Sequence, residues 1–147
     1  MLISNKIKLT ADEMRYIALF ESVTGATSRD CLIDKNSNRI IFVTKPNEAG
    51  LAIGEGGSKV KALKRMTGRD IEIVEYAETP TEFIKNLFSP ARIKEIRITE
   101  KLDGRKIAVV TVDPRDKGAA IGRGGEKAER GRYLVKRYYD IDNIIIT

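Results

Sequence analysis

Two six-residue stretches in this chain are built to hold an anion without any catalytic side chain: Ala52-Ile53-Gly54-Glu55-Gly56-Gly57 and Ala120-Ile121-Gly122-Arg123-Gly124-Gly125. Each contains a four-residue loop that begins and ends in glycine, set between an apolar run and a Lys/Arg-rich helical pattern. Glycine adopts backbone angles that side chains forbid, and it lets the backbone of a ligand come close. The helix leaving the loop aims its N-terminal N–H groups, and the positive end of its dipole, at the same place. Phosphate is the natural guest. The stretches lie 68 residues apart, so the chain contains one module twice.

Basic residues stand beside both loops. Lys59 and Lys127 follow them at the same distance, and Arg123, Lys127 and Arg130 fall at helical spacing along one side predicted to be exposed, where they would track a phosphate strand. The plain alternative is a solvated helix face, the usual fate of charge runs. Ile53, Val60 and Ile73 in the first copy, and Ile121, Ala128 and Ile145 in the second, have the apolar periodicity of core residues. Glu55 departs from the neutral or basic character a phosphate-facing loop should have. If its carboxylate meets the phosphate, the first loop is the weaker site and the second, with Arg123, dominates.

The elements that must position these loops follow from the order of residues. Thr10-Ala11-Asp12-Glu13 has the form of a capping box, with Met14, Ile17, Leu19 and Phe20 at near-helical spacing behind it, so a helix is predicted as far as Thr24-Gly25. Residues 31–33 and Arg39–Thr44, rich in β-branched types and separated by turn chemistry at 34–38, read as a hairpin. Pro46 suits the first turn of a short helix that carries Leu51 and Ala52 into the glycine loop. From Ser58 a further helix is predicted with Val60, Leu63 and Met66 inward, ended by Gly68, and residues 71–76 read as a strand.

After Ala77-Glu78 the order begins again with Thr79-Pro80-Thr81-Glu82, a second capping box. Phe83, Ile84, Leu87 and Phe88 give its helix an apolar face and Pro90 stops it. Strands over 93–101 and 105–112 flank Asp103-Gly104, a hairpin signal, and Asp113-Pro114 starts the short helix before the loop. A longer helix then turns Ala128, Leu134, Val135 and Tyr138 inward, and residues 143–147 close the copy as a strand. Gly131 stands where the first copy has Leu63, at a cost of about 1 kcal/mol inside a helix, and close helix packing is the reading for it.

Composition bounds the rest. The chain has 147 residues, 41% hydrophobic and 33% charged, which is a globular composition, and the repeat divides it into two domains, residues 1–76 and 77–147. No apolar run approaches the roughly 18 residues of a membrane helix. The first residues, Met1 to Lys6, lack the apolar segment of a secretory signal, which makes the cytoplasm the expected location. Lys and Arg number 27 against 21 Asp and Glu, and the net charge of +6 suits a polyanionic partner.

Other chemistries lack their parts. A P-loop leaves a strand directly and ends in Gly-Lys-Ser/Thr, whereas Gly57-Ser58-Lys59 has the wrong order and a helix before it. A dinucleotide site would need a third glycine and a βαβ frame. With no His, one Cys at position 31 and no convergent carboxylates, neither catalytic residues nor a metal or cofactor site is expected, and Asp140-Ile141-Asp142 reads as the start of a strand.

Ile53-Gly54-Glu55-Gly56-Gly57 and Ile121-Gly122-Arg123-Gly124-Gly125 resemble the Ile-Gly-x-x-Gly signature of KH domains, which likewise lies between two helices. The predicted order of elements is similar to the type II arrangement of that family. The resemblance implies an α+β fold of two consecutive type II KH domains, each a three-stranded sheet packed against three helices. A KH loop clamps the backbone of about four nucleotides while unstacked bases lie in an apolar groove beside it, and the resemblance implies that Ile53, Val60 and Ile73, and Ile121, Ala128 and Ile145, line or support the two grooves.

Two such modules on a minimal linker resemble the RNA-binding half of the NusA transcription factors, and archaeal members consisting of little more than this pair are the nearest likeness. A chain of this length has no room for the polymerase-binding N-terminal domain and S1 domain of the bacterial form. The resemblance implies single-stranded RNA as the partner, held on residues 53–57 with Lys59 and on residues 121–125 with Lys127 and Arg130. It implies action in transcription elongation, termination or antitermination, with RNA polymerase or the transcription complex as a further partner. A ribosome-associated or RNA-processing adaptor is the alternative use of the same modules.

Overall fold

The computed structural model describes residues 7–147, so the first six residues of the expected N-terminal domain, and of the leader reading, lie outside the described residues. The chain divides between Ala77 and Glu78 into two compact units.

The first unit opens with helix α1, Ala11–Thr24. It begins where the sequence requires: the Thr10 hydroxyl accepts from the Glu13 amide at 3.2 Å, and the Glu13 carboxylate accepts from the Thr10 amide at 2.8 Å. Gly25, at φ +74°, ends it in the left-handed region that glycine reaches without strain. Strands β1 (Ser28–Asp34) and β2 (Arg39–Thr44) pair antiparallel, with a register shift between Ser28 and Asp30. The short helix α2 spans Ala49–Ile53 and leads into the first glycine loop, from which α3, Ser58–Thr67, emerges. Strand β3 (Asp70–Glu75) then lies parallel to β2, which places β2 at the centre of the sheet.

Phe20 of α1 stacks on Phe42 of β2 with ring centroids 4.5 Å apart, and Cys31, Ile40, Ala52 and Leu63 complete a core that joins all three helices to the sheet. Burial pushes the Cys31 thiol up to about 12, leaving it an inert core side chain.

Two expectations for this unit need correction. Pro46 does not start α2. It lies in a turn in which the Glu48 amide donates to the Lys45 carbonyl, and Asn47, at φ +67°, breaks any helix there, so α2 starts at Ala49. Met66 does not face inward: it is 59% exposed, while Leu63 of the same helix is fully buried. With ten residues in α3, only the sector around Leu63 meets the core.

The second unit repeats the plan. Helix α4 (Pro80–Phe88) is capped by the Thr79 hydroxyl, which accepts from the Glu82 amide, while the Glu82 carboxylate pairs with Lys85. Strands β4 (Ile93–Glu100) and β5 (Lys106–Val112) pair antiparallel with a register shift at Ile93/Glu95, at the same place in the strand as in the first unit. Asp113 caps a single 3₁₀ turn at Pro114–Asp116, and the short helix α5 follows over Lys117–Ile121. After the second loop come α6 (Glu126–Tyr139) and strand β6 (Asn143–Ile146), which lies parallel to the central β5.

Asp140-Ile141-Asp142, expected as the start of a strand, is instead the link from α6 to β6: Asp140, at φ +55°, caps α6, and the strand begins only at Asn143. The Asp142 carboxylate accepts from the Lys106 amide at 2.9 Å and from Lys136 Nζ at 2.8 Å, and Lys136 holds that carboxyl below the usual range. Helices α4 and α6 bury Phe83, Ile84, Leu87, Phe88, Leu134 and Val135 against one another and the sheet. Gly131 is what lets them approach: a Cβ there would lie 2.8 Å from Leu87 Cδ2. Leu87 thus takes space that Leu63 takes in the first unit.

Candidate nucleic-acid interface

The two glycine loops have the same shape. Gly54 and Gly122 sit at φ/ψ 78/165° and 80/170°, Gly56 and Gly124 at 61/20° and 61/18°, and Gly57 and Gly125 at 74/18° and 79/8°. The glycines are required for different reasons. At the first position a side chain has no room: a Cβ on Gly54 would lie 2.7 Å from Lys59 Cγ, and one on Gly122 2.7 Å from Lys127 Cβ. At Gly56 and Gly124 nothing lies within 4 Å of that place, so the loop backbone there is open to an approaching strand.

The last glycine turns its amide inward. Gly57 donates to the Gly54 carbonyl at 3.0 Å and Gly125 to that of Gly122 at 3.1 Å, which removes both amides from the set expected to meet phosphate. The following helices differ in charge at their starts. Glu126 and Glu129 occupy the first turn of α6, where α3 has Ser58 and Lys61, and these carboxylates already offset the positive end of the α6 dipole. Glu55 and Arg123, at the same loop position, are both exposed.

Lys59 and Lys127 act differently from free phosphate-tracking side chains. Lys59 Nζ donates to the Thr24 carbonyl at 2.8 Å, and Lys127 Nζ to the Ser89 carbonyl at 3.3 Å. Thr24 is the last residue of α1 and Ser89 the cap of α4, so each lysine satisfies a carbonyl at a helix end and ties it to the loop-bearing helix. A carboxylate does a similar job behind the loop. Glu48 Oε1 accepts from the Thr27 amide at 2.7 Å, and its counterpart Asp116 accepts from the Arg92 amide at 2.8 Å, so the start of each short helix is bound to the residue just before the first strand.

Arg130 is a correction. It was expected on an exposed side with Arg123 and Lys127, and it is 7% exposed. The cause is helical geometry: Arg130, Gly131 and Leu134 fall within one stripe of α6 that packs inward, whereas Glu129 and Tyr133 face solvent.

Beside the second loop lies a groove of about 410 Å³. Gly124 and Gly125 border it, and Ile121, Ala128 and Ile145, the groove residues that the KH resemblance implies, line it. Parallel pairing of β6 with β5 brings Ile145 alongside Val109, and Ile145 is 42% exposed. In the first unit Ile53 is 41% exposed, while Val60 and Ile73 are half-buried.

Sequence reasoning missed Arg132 and Asn143, which also line the groove. Arg132 Nε donates to the Ile144 carbonyl at 3.1 Å, so the guanidinium is fixed across the groove floor. Its position four residues after Ala128 was the available signal, since residues at that spacing share a helix face. An open glycine backbone, a fixed guanidinium and an apolar wall in one hollow can hold a phosphate and a flat apolar ring together.

Residues 14–79 match the family described as "KH domain" and residues 80–145 the one described as "NusA-like second KH domain". The "Probable transcription termination protein NusA" of Halobacterium salinarum is 39% identical over 141 residues, covering 96% of this chain and 99% of that protein. The protein of the same name from Methanocaldococcus jannaschii is 30% identical, over 95% of this chain and 74% of its own length. A solved structure described as "Crystal structure of APE1850" superposes with a TM-score of 0.81 at 40% identity, covering 95% of this chain and all of that one.

Proposed function

This chain belongs to the NusA-like family of tandem KH proteins, and on that premise we propose that it clamps nascent single-stranded RNA and acts in transcription elongation, termination or antitermination. One observation carries the RNA reading: the groove of the second unit, where Gly124 and Gly125 face Ile121, Ala128 and Ile145. A nucleotide needs that combination, with its phosphate beside open backbone and its base against apolar side chains.

The first loop, with the same backbone angles, is the second phosphate site of the proposal. The RNA-binding domains are residues 1–76 and 77–147. The protein is a binding factor and not an enzyme. It needs no cofactor, and it works in the cytoplasm within the transcription complex, where direct contact with RNA polymerase is the finer claim. No helix among the described residues is long and apolar enough to cross a membrane.

Fluorescence anisotropy with labelled RNA tests this reading. Single strands should bind more tightly than duplex, with log K falling against log salt at a slope of roughly −3 to −4 if four to six phosphates are neutralised. Gly124→Asp keeps a residue that tolerates the left-handed region and sets a carboxylate in the open side of the loop, so affinity should fall at least tenfold with the circular dichroism unchanged. Duplex bound as tightly as single strands would refute the proposal. Crosslinking in cells to nascent transcripts, and not to ribosomal RNA, separates the transcription role from a ribosome-associated one.

A further inference from the structure

A second hollow, of about 540 Å³, lies on the outer side of α6 and is lined by Glu129, Arg132, Tyr133, Lys136, Arg137 and Asp142. It shares Glu129 and Arg132 with the groove beside the glycine loop, so the two hollows adjoin at that ion pair. Five of its residues recur at i, i+3, i+4, i+7 and i+8, the spacing of one helix face, and extend that face by on the order of 12 Å from Glu129 to Arg137.

An exposed tyrosine is ordinary by itself. Tyr133 differs in its surroundings. It is 51% exposed, the Arg137 guanidinium carbon lies over its ring 5.8 Å from the centroid, and Arg137 Nη1 donates to its hydroxyl at 3.3 Å. The ring is therefore oriented by a cation at one edge and face while most of it stays in solvent. The two carboxylates of the hollow are paired, Glu129 with Arg132 and Asp142 with Lys136, so they do not repel a passing strand as lone charges would. At the equivalent position the first unit has Arg65, which offers no ring.

We propose that Tyr133 is a stacking platform for a base of the single-stranded RNA as the strand leaves the second glycine-loop groove, with Arg137 beside it for an adjoining phosphate. The proposal rests on the RNA-binding reading above. It extends the binding site along α6 by a position that no loop glycine touches. Every base has a π-face, so this contact adds affinity and length dependence without sequence preference.

The test uses the whole chain and two labelled RNAs, a tetranucleotide that fills one groove and the same sequence extended by three nucleotides at each end. Tyr133→Ala should weaken the extended RNA roughly 5- to 150-fold, the range of one base–aromatic stack, and leave the tetranucleotide unchanged. Tyr133→Phe should keep the affinity for both. The chain contains no Trp, so Tyr133→Trp introduces a single indole, whose fluorescence the extended RNA should quench and the tetranucleotide should not. Equal loss for both RNAs, no loss for either, or an unquenched indole under saturating extended RNA would overturn the stacking proposal while leaving the loop reading standing. Failure of the wild-type protein to bind either RNA would instead overturn the RNA-binding reading and this proposal with it.

Discussion

Gly122 and Lys127 are packed so closely that a Cβ on the glycine would lie 2.7 Å from the lysine Cβ and 2.9 Å from its backbone nitrogen. Gly54 stands in the same relation to Lys59, at 2.7 Å from Cγ and 3.0 Å from the nitrogen. The first loop glycine is thus a structural requirement, and the middle one is an opening. Gly122→Ala should cost about 2–3 kcal/mol, because its φ/ψ region is nearly closed to other residues and the clash is with backbone. Gly124→Ala, with nothing within 4 Å, should cost only about 1 kcal/mol. Urea denaturation midpoints give the order, and equal losses would contradict it.

Lys127→Met and Lys59→Met keep the aliphatic stem and remove the ammonium that ties helix end to loop. Each should lower stability by about 1 kcal/mol while the salt dependence of RNA affinity stays unchanged. A slope shallower by about 0.7 would reveal one lost phosphate contact. Parallel denaturation and anisotropy titrations separate the two roles.

Glu55 and Arg123 place opposite charges at one loop position, and both are exposed. Arg123→Glu should weaken RNA binding and Glu55→Arg should strengthen it, each by roughly fivefold at low salt. Both effects should shrink above 0.1 M salt, where screening acts within about 10 Å. Glu126 and Glu129 stay in place in both variants, so any difference is assigned to the loop charge. Anisotropy at two salt concentrations is sufficient, and identical dissociation constants would show that these loops do not face phosphate.

Gly131 and Leu87 share one volume between α4 and α6. Gly131→Leu, which restores the residue of the first copy, should destabilise by about 2 kcal/mol or more through overpacking. Leu87→Ala should cost about 2–5 kcal/mol through the cavity it leaves. Combined, the two should lose less than their sum by about 1–3 kcal/mol. Strict additivity in thermal or urea unfolding would mean that the two side chains do not compete.

The loops were legible because what they need is local. A residue at φ +80° and ψ 170° must be glycine whatever surrounds it, so both loops announce themselves in the sequence and again in the backbone. The Thr10–Glu13 capping box and the Asp103-Gly104 hairpin were legible for the same reason, since each is satisfied within a few residues. The groove candidates Ile121, Ala128 and Ile145 could be named only through the family resemblance, because their meeting depends on the parallel register of β6 on β5, which no local pattern states.

Tertiary structure decided which sector of a helix faces the core and where long side chains end. Spacing fixes the angle between Lys127 and Arg130 on α6, but not the direction in which a helix rolls against its neighbours, so Arg130 is buried and Met66 exposed against expectation, while Arg123 lies in the loop before α6 and shares no helix face with them. The amines of Lys59 and Lys127 are held by the carbonyls of Thr24 and Ser89, brought to them from 35 and 38 residues away. A sequence specifies that a cation is present beside the loop. Only the folded chain supplies the acceptor that fixes its place.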